Sequence, residues 1–480
     1  MKSKITLCCI PLVIVTLCPT LAASELTKVG DSVVDPKALT IKESLWNAIN
    51  GLSSQQDAVV SHENYQYVTY YDVERHVCLG RRKLPTGRWE LIRLTDYVFT
   101  GNDSHNTISL GICPKDGTMH LAFDHHGHPL HYRVSKKHVA SDPQKAAWDA
   151  SLFGPITSEL EKGKRISLTY PRFWQTPDGG LQFCYRQGGA GNGDRILVDY
   201  HPKSGTWVNT RKIDSRSGLF KDIWCKSESR CSYPNGYDYG PHGKLHVTWV
   251  WREGSGNANH DLMYAYSEDQ GETWLNNKGQ ALRGPPHVNS PDITVVNIGR
   301  GYGLANSSGQ AVDSQGRVHA VMWHCTDESL KMHGSKPTGG NFWGPPDARH
   351  YHHSWRDANG VWNHRELPWV AGSRPKVFMD KDDNAYLIWG AKQESDQWWS
   401  SGWFSKADLM IAAATADSKW TDWKIVHVEK GPFANEMLGD KSRWQTDGIL
   451  SVMVQDSPKR RDTPTPTPLR ILDFSLRTAR

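Results

Sequence analysis

Residues that can move protons and bind anions fall at comparable places in the chain. His105 precedes a short apolar segment, and Tyr170 and Arg186 lie sixteen residues apart on either side of a glycine pair. Histidine and tyrosine can each give or take a proton, while a guanidinium group binds a carboxylate or sulfate through paired hydrogen bonds. Together these groups suit β-elimination at a uronate. The arginine neutralises the carboxylate, one group removes the C5 proton and another protonates the departing O4.

The same positions in other apolar segments also carry polar side chains. In each segment, the strands before and after a tight turn are antiparallel neighbours, so the start of the first and the end of the second meet at one rim. Several inward-facing arginines there imply an anionic ligand, and the lack of an Asp or Glu pair weighs against a two-carboxylate glycosidase. The rim positions are occupied by His105, His125, Tyr170, Arg186, Tyr233, Arg252, Asn306, His324 and Arg374.

Tight turns, each followed by a short strand rich in β-branched and aromatic residues, must position these side chains. Hairpin turns need Gly or Asn where φ is positive, and helical periodicity is weak along the chain. The seven turn residues lie 53 to 73 positions apart and are Asn64, Gly117, Gly179, Gly243, Gly316, Asn384 and Gly448. This repeat predicts an all-β fold, a seven-bladed β-propeller, whose funnel is a concave site for a ligand.

Two further segments support the propeller. Residues 267–274 read SEDQGETW and fit the pattern of an Asp box, or BNR repeat, in which Ser and Asp side chains bond to the turn backbone. We interpret this box as a folding device without a catalytic role. The Pro/Thr-rich stretch 463–468 predicts a stiff connector to a closing strand that pairs with an N-terminal strand. A single propeller domain is therefore expected over residues 23–480.

The N-terminus has the pattern of a secretory signal peptide. A basic start at Lys2 and Lys4 precedes an apolar run that is too short to span a bilayer, and small residues follow up to Ala22 and Ala23. We expect residues 1–22 to be removed, and the product to be a secreted (periplasmic or extracellular) monomer without membrane insertion. The formal net charge of +5 comes without the Lys/Arg stripe that typifies nucleic-acid-binding surfaces, so no nucleic acid partner is expected.

Four stretches resemble the BNR-propeller ulvan lyases, most of all polysaccharide lyase family 25, with family 24 a relative. They are residues 102–110, 121–135, 168–194 and 260–274. Enzymes of this family cleave ulvan, the sulfated rhamnose–uronate polymer of green algae, by β-elimination at the uronate. The resemblance covers most of the chain after the signal peptide and implies a lyase that acts on a sulfated, uronate-containing algal polysaccharide.

The resemblance also implies roles for individual side chains. His105 and Tyr170 would be the general base and acid pair, in an order that the sequence leaves open. Arg186 would bind and neutralise the carboxylate together with His125. Other substrate contacts, assigned on the resemblance or on the rim pattern alone, are Asn106, Tyr233, Arg252, Asn306, His324 and Arg374.

A structural metal ion, commonly zinc, is a further property of the lyases that this sequence resembles, and no organic cofactor is expected. Sets of cysteine and histidine suit zinc, and the candidate ligands here are Cys225, Cys231, Cys325 and His333. The Cys225-x5-Cys231 spacing is not that of a standard zinc knuckle. A disulfide between these two cysteines is the alternative in an exported protein.

Two other interpretations stay open at the level of the sequence. A sialidase-like glycosidase also has Asp boxes and an arginine triad, for which Arg186, Arg252 and Arg374 are available. That enzyme would need acidic partners for a tyrosine nucleophile, and the rim positions hold none. A non-catalytic carbohydrate-binding propeller would explain the 21 tryptophans and the secretion, but not a His–Tyr–Arg grouping.

Overall fold

Seven antiparallel sheets form the body of the molecule, and successive sheets pack against each other around a ring. The predicted all-β, seven-bladed β-propeller is therefore confirmed. The computed structural model describes residues 26–42, 48–52, 58–254, 259–340, 343–391, 406–434, 436–460 and 462–476.

The first strand along the chain belongs to the last blade, and the first three complete blades follow it. This strand is β1 (Leu26–Ala38). Blade one contains β2 (Val59–His62), β3 (Tyr65–Tyr71), β4 (His76–Lys83) and β5 (Glu90–Val98). Blade two contains β6 (Ile108–Cys113), β7 (Thr118–Phe123) and β9 (Tyr132–Val134). Blade three contains β8 (His126–Pro129), β12 (Ser167–Gln175), β13 (Leu181–Gly189), β14 (Asn192–His201) and β15 (Thr206–Asp214).

The remaining blades have four strands each. Blade four contains β18 (Arg230–Tyr239), β19 (Leu245–Glu253), β20 (Asn259–Ser267) and β21 (Thr294–Val296). Blade five contains β22 (Gly309–Val312), β23 (Val318–His324), β24 (His350–Arg356) and β25 (Trp362–Val370). Blade six contains β26 (Lys376–Met379), β27 (Ala385–Ala391), β28 (Ala407–Ala414) and β29 (Lys424–Phe433). Blade seven contains β30 (Leu438–Gly439), β31 (Ile449–Gln455), β32 (Thr467–Leu476) and β1.

Short elements decorate this ring. Two small hairpins pair β10 (Glu159–Glu161) with β11 (Lys164–Arg165) and β16 (Phe220–Lys221) with β17 (Lys226–Ser227). The α-helices of the described residues are α1 (Asp327–Met332) and α2 (Lys441–Asp447), and 3-10 turns cover Ala150–Leu152, Arg300–Tyr302 and Pro346–Ala348. Within the described residues, no helix has both the length and the apolarity needed to cross a bilayer.

The core lies between the faces of adjacent blades. Strands in the middle of a sheet are buried along their whole length, as in β3 and β7, because both of their faces pack on neighbouring blades. The outer strand β15 instead exposes most of its residues. This burial explains why the middle strands read as continuous apolar and aromatic runs.

The predicted turns recur where the sequence places them. Gly117, Gly179 and Gly316 have φ angles of 65°, 78° and 75°, a region that residues with a Cβ atom rarely occupy. At the two Asn turns, the positive φ falls on the preceding residue, Glu63 or Asp383. The turn prediction is correct at six of the seven sites, with the left-handed backbone on the preceding residue at the two Asn turns. At the seventh site, Gly448 has a φ of 65° but is the C-cap of α2 and lies in no hairpin turn.

The ring closes between the two ends of the described chain. β1 pairs antiparallel with β32, with Leu26 opposite Leu476. This confirms the predicted closing strand, which begins at Thr467 and therefore takes up the last part of the predicted connector 463–468. The predicted signal peptide, residues 1–22, lies outside the described residues.

The Asp box folds as its pattern predicts. Ser267 Oγ accepts the Gly271 amide at 2.7 Å, and Asp269 Oδ1 accepts the Thr273 amide at 2.8 Å. Trp274 is buried between strands. The side chains of Ser267, Asp269 and Thr273 thus hold their own turn, so the box is structural.

Candidate active site at the mouth of the propeller

The strand β8 brings blades two and three together at the rim. It follows the middle strand of blade two, but it pairs with β12 of blade three, with His126 opposite Thr169. His105 lies in the loop before β6, and Tyr170 lies near the start of β12. As a result, residues from two blades converge on one corner of the funnel.

Two imidazoles share one carboxylate in that corner. Asp103 Oδ1 lies 2.6 Å from His105 Nδ1, and Asp103 Oδ2 lies 2.6 Å from His126 Nδ1. The two rings stack with centroids 4.5 Å apart. Burial alone would raise the pKa of Asp103, but hydrogen bonds from both histidines hold that pKa well below its usual range.

Tyr170 faces both imidazoles from a strained backbone. Its ring centroid is 6.1 Å from that of His105 and 5.9 Å from that of His126. Its φ is 55°, and the pairing of β12 with β13 shifts register between Thr169 and Arg172, which marks a bulge. A bulge re-aims a side chain, and a left-handed tyrosine costs on the order of 1–2 kcal/mol. Burial, and then the neighbouring Tyr233, raise the pKa of Tyr170 above its usual value.

Arg186 is a buried cation beside this tyrosine. Its side chain is only 2% exposed, and its guanidinium carbon lies 5.0 Å from the Tyr170 ring centroid. Its Nη1 donates to Tyr233 Oη at 3.2 Å, and Arg252 Nη1 donates to the same oxygen at 3.2 Å. Across the described residues, neither arginine has a carboxylate within 4.0 Å. A buried charge without a counter-ion is costly, so the site favours an anion from outside.

Arg374 differs from these two arginines because it already has a counter-ion. Its Nε lies 2.7 Å from Glu436 Oε1, and its Nη1 donates to Asn306 Oδ1 at 3.3 Å. Burial raises the pKa of Tyr170 overall, and the charge of Arg374 acts in the opposite direction, which shows that Arg374 lies within electrostatic reach of this tyrosine. The structure thus places Arg374 and Asn306 near the site, with Arg374 bonded both to Asn306 and to Glu436.

Asn106 and His125 are bonded within blade two. Asn106 is buried, and its Nδ2 donates to the Asp124 carboxylate. His125 Nε2 accepts the His131 amide at 2.8 Å, and burial lowers the pKa of His125 well below its usual value. His125, which was predicted to bind the carboxylate together with Arg186, is thus bonded inside blade two, and the ring that stacks on His105 is that of its neighbour, His126.

The predicted cysteine-rich metal site does not assemble. Among the described residues, Cys225, Cys231, Cys325 and His333 do not appear together in any group of three potential ligands whose atoms lie within 4.8 Å of one another. Cys231 Sγ instead accepts the Gly191 amide at 3.1 Å. These cysteines are also reduced, so the alternative Cys225–Cys231 disulfide is wrong.

A cluster on blade five has a better set of metal-binding atoms. His324, His352 and His364 each offer one nitrogen within 4.8 Å of the other two. His324 Nδ1 bonds to the Cys325 carbonyl at 2.8 Å, and His352 Nε2 bonds to the His324 carbonyl at 3.3 Å. The opposite nitrogens, His324 Nε2 and His352 Nδ1, are buried and have no partner. His324 therefore belongs to this cluster as well as to the rim.

Asp103 and His126 are functional candidates that were not predicted from the sequence. Both lie in stretches quoted above, and Asp103 stands two residues before His105. The spacing Asp-x-His is a signal for a carboxylate that orients an imidazole, and it could have been used. The signal for His126 is weaker, because only the pairing of β8 with β12 brings it to the rim.

A seven-bladed propeller with a cationic, histidine-containing rim is the class of protein that the fold and site define. The model of the BNR repeat-containing family matches residues 65–369. This match covers more than half of the chain, and the protein therefore belongs to the BNR repeat-containing family.

Curated relatives share the central part of the chain. It is 26% identical over 355 residues to the long-isoform ulvan lyase of Pseudoalteromonas sp. (strain PLSV), covering 60% of this chain and 34% of that protein. It is also 26% identical over 304 residues to the short-isoform ulvan lyase of Alteromonas sp. (strain LOR), covering 52% of this chain and 55% of that protein. The chain thus spans about a third to a half of the length of these relatives.

Solved structures share the fold. The crystal structure of polysaccharide lyase Uly1 aligns with a TM-score of 0.69 and 19% identity, covering 94% of this chain and all of that chain. A family 25 ulvan lyase bound to -[GlcA(1-4)Rha3S]- aligns with a TM-score of 0.63 and 13% identity, covering 93% and 95%. At these identities, the likeness supports the propeller fold.

Proposed function

We propose that this protein is a polysaccharide lyase that cleaves ulvan by β-elimination at a uronate. One observation carries the proposal: Arg186 is a buried guanidinium without a carboxylate partner among the described residues, and it lies against Tyr170, which in turn faces His105. This is the arrangement that a uronate carboxylate and its C5 proton require. The curated relatives named as ulvan lyases support the choice of polymer.

In the proposed reaction, Arg186 binds the uronate carboxylate and makes the C5 proton more acidic. His105 removes that proton, the electron pair forms the C4–C5 double bond, and the C4–O4 bond breaks. The raised pKa of Tyr170 keeps its phenol protonated near neutral pH, so Tyr170 is the group that donates a proton to O4. Solvent then accepts the proton from His105 and gives a proton to Tyr170, which restores both side chains to their starting states.

The test is incubation with ulvan while absorbance is followed in the low ultraviolet, where the unsaturated uronyl product absorbs. His105→Ala and Tyr170→Phe should each remove most of the signal without changing the thermal unfolding midpoint. New reducing ends without ultraviolet absorbance would indicate hydrolysis, as in the sialidase-like alternative. Binding without new chain ends would indicate a carbohydrate-binding propeller.

A transition-metal ion, for which zinc is our proposal, would be held by His324, His352 and His364. The orphaned nitrogens of His324 and His352 are the observation that fits such an ion, because a ligating imidazole uses one nitrogen for the metal and the other for a hydrogen bond. The His324 and His352 rings are nearly parallel, with an angle of 9° between them. At least one ring must therefore turn when a metal binds. The ion would stabilise blade five, and no step of the proposed elimination passes through it.

Export is the remaining part of the proposal. The basic, apolar and small-residue pattern of residues 1–22 supports a cleaved signal peptide. N-terminal sequencing of protein recovered outside the cytoplasm should begin at Ala23 or Ser24. A product that still begins at Met1 would contradict export by this route.

A further inference from the structure

The carboxylate of Asp103 has its position fixed by the backbone as well as by the two imidazoles. Its Oδ1 accepts the His105 amide at 3.0 Å in addition to His105 Nδ1, while its Oδ2 receives His126 Nδ1. This local turn sets the carboxylate before any substrate arrives. Asp103 therefore presents two acceptor oxygens in a fixed direction, one to each ring.

An ionised carboxylate only accepts hydrogen bonds, and this decides the tautomer of both rings. Contacts of 2.6 Å between Asp103 and each Nδ1 require that each Nδ1 carries the hydrogen. In a neutral imidazole, the other nitrogen then has the lone pair. For His105 and His126, that nitrogen is Nε2.

We propose that Asp103 is the positioning residue of this site, holding His105 and His126 together as two imidazoles whose Nε2 atoms accept protons. The inference rests on the proposed lyase function and deepens it. Asp103 acts through the histidines and makes no contact with substrate itself. His126 becomes a second proton acceptor, at the same distance from Tyr170 as His105 to within a few tenths of an ångström.

The shared carboxylate has a further consequence for the elimination step. When one imidazole takes the C5 proton, it becomes a cation that is already hydrogen-bonded to a negative carboxylate, and this contact stabilises the charge. The second imidazole stays neutral and stacked on the first. The positive charge that the imidazole gains with this proton is thus offset by the Asp103 carboxylate, without movement of the loop before β6.

The direct test reads the tautomers, independently of activity. Protein labelled with nitrogen-15 at histidine gives imidazole nitrogen chemical shifts by NMR, and His105→Ala and His126→Ala assign the two signals. We expect both rings of the unmodified protein to carry hydrogen at Nδ1. If either ring carries it at Nε2, the positioning role of Asp103 is wrong, whether or not ulvan is cleaved.

Asp103→Asn adds the kinetic test. The amide has one acceptor oxygen and one donor nitrogen, so one imidazole must adopt the opposite tautomer. We expect kcat on ulvan to fall on the order of 10²- to 10⁴-fold, as when an orienting aspartate is removed from a catalytic histidine, while KM changes much less. Asp103→Glu, which keeps the carboxylate, should recover part of kcat. An Asp103→Asn protein with unchanged tautomers and kcat would overturn the proposal.

The matched control is Asp178→Asn. Asp178 lies in the exposed turn after β12 and pairs with Lys115, so the same chemical change there should leave kcat and the tautomers unaltered. If unmodified protein shows the expected tautomers but no ultraviolet signal with ulvan, the proposed lyase function fails and the positioning of the imidazoles stands. If the unmodified protein cleaves ulvan but its imidazoles have the opposite tautomers, the lyase function stands and the positioning role of Asp103 fails.

Discussion

At the scale of single residues, the site is defined by an arginine that lacks a negative partner. Arg186 is buried and donates to Tyr233 Oη and Cys231 Sγ, and among the described residues no carboxylate lies within 4.0 Å of its guanidinium. A folded protein keeps such a group when a ligand supplies the charge. The best test of the proposed chemistry is therefore whether Arg186 contributes more to turnover than to binding.

Arg186→Ala should lower kcat on ulvan by about 10²- to 10³-fold, since preorganised donors at a developing charge have effects of that order, and should raise KM much less. Arg186→Lys keeps the charge but loses the paired geometry, so we expect an intermediate kcat. Steady-state kinetics on ulvan checks both. Arg211→Lys, at an outer-strand pair with Asp199, is the control. Equal losses in binding and turnover would contradict the neutralising role.

The sequence predicted that three central side chains meet at one rim, because each follows from its place in a repeat, and their catalytic roles stay a prediction. His105, Tyr170 and Arg186 converge as the matching rim positions require. The choice between His125 and His126 was not predictable in the same way. Asp124 has a φ of 62°, and this left-handed residue breaks the alternation of inward and outward side chains just before the two histidines.

At the scale of elements, blade five carries a histidine row that the turn pattern alone did not reveal. His352 on β24 lies diagonally beside His324 on β23, and His364 lies on β25. Side chains on one face of adjacent strands come close together. The predicted cysteine set forms no such site because its members do not lie together on one face of adjacent strands. Cys225 precedes the short strand β17, outside the blade ladders.

Titration with Zn²⁺ should show one strong site per molecule by isothermal calorimetry and by metal analysis after dialysis. His324→Phe and His352→Phe should each abolish it, because a site with two imidazoles left binds zinc much more weakly. Zinc should also raise the thermal unfolding midpoint of the unmodified protein. Cys225→Ser is the control and should bind normally. Loss of binding in that variant, with retention in the histidine variants, would place the site at the cysteines.

At the scale of the whole molecule, buried neutral histidines make the fold sensitive to acid. Burial lowers the pKa of His120 to about 3 and that of His246 to about 4. His260 is the exception: burial lowers its pKa, but hydrogen bonds with Asp261 and Glu253 raise it overall. The described histidines with a lowered pKa are His62, His120, His125, His246, His319, His324, His352, His353 and His364.

A histidine with a lowered pKa in the folded state stays neutral, while the same residue in the unfolded chain gains a proton near its ordinary pKa of 6.5. The stabilising contribution of such a residue is therefore fully present above that pH. It falls as the pH drops from there toward the folded-state pKa, by about 1.4 kcal/mol per pH unit for a fully buried residue such as His120. Urea unfolding at about pH 7.5 and about pH 5 should show a large decrease in the free energy of unfolding.

Two variants test the origin of this pH dependence. His120→Gln should reduce the dependence of the free energy of unfolding on pH by the contribution of a single histidine, because His120 is fully buried beside Tyr132 and Thr118. His201→Gln, at the exposed end of β14, should leave this pH dependence unchanged. A free energy of unfolding that does not vary between the two pH values would refute the argument.

The number of blades and the closing strand were predictable at this scale, because turn residues recur at regular intervals and a propeller must join its ends. The addition of β8, which follows a strand of blade two in the chain, to β12 of blade three was not predictable, since it is a non-local contact that leaves no periodic mark in the sequence. It is this contact that completes the candidate site.

The closure of the ring has a consequence for how the protein is made. Leu26 pairs with Leu476, so during synthesis the first strand waits without its partner until the last strand leaves the ribosome. Contacts between such distant parts of a chain form slowly, and an unpaired strand edge invites aggregation in the meantime. A nascent chain in which β32 is not yet made would thus carry most of its blades and still lack a closed ring.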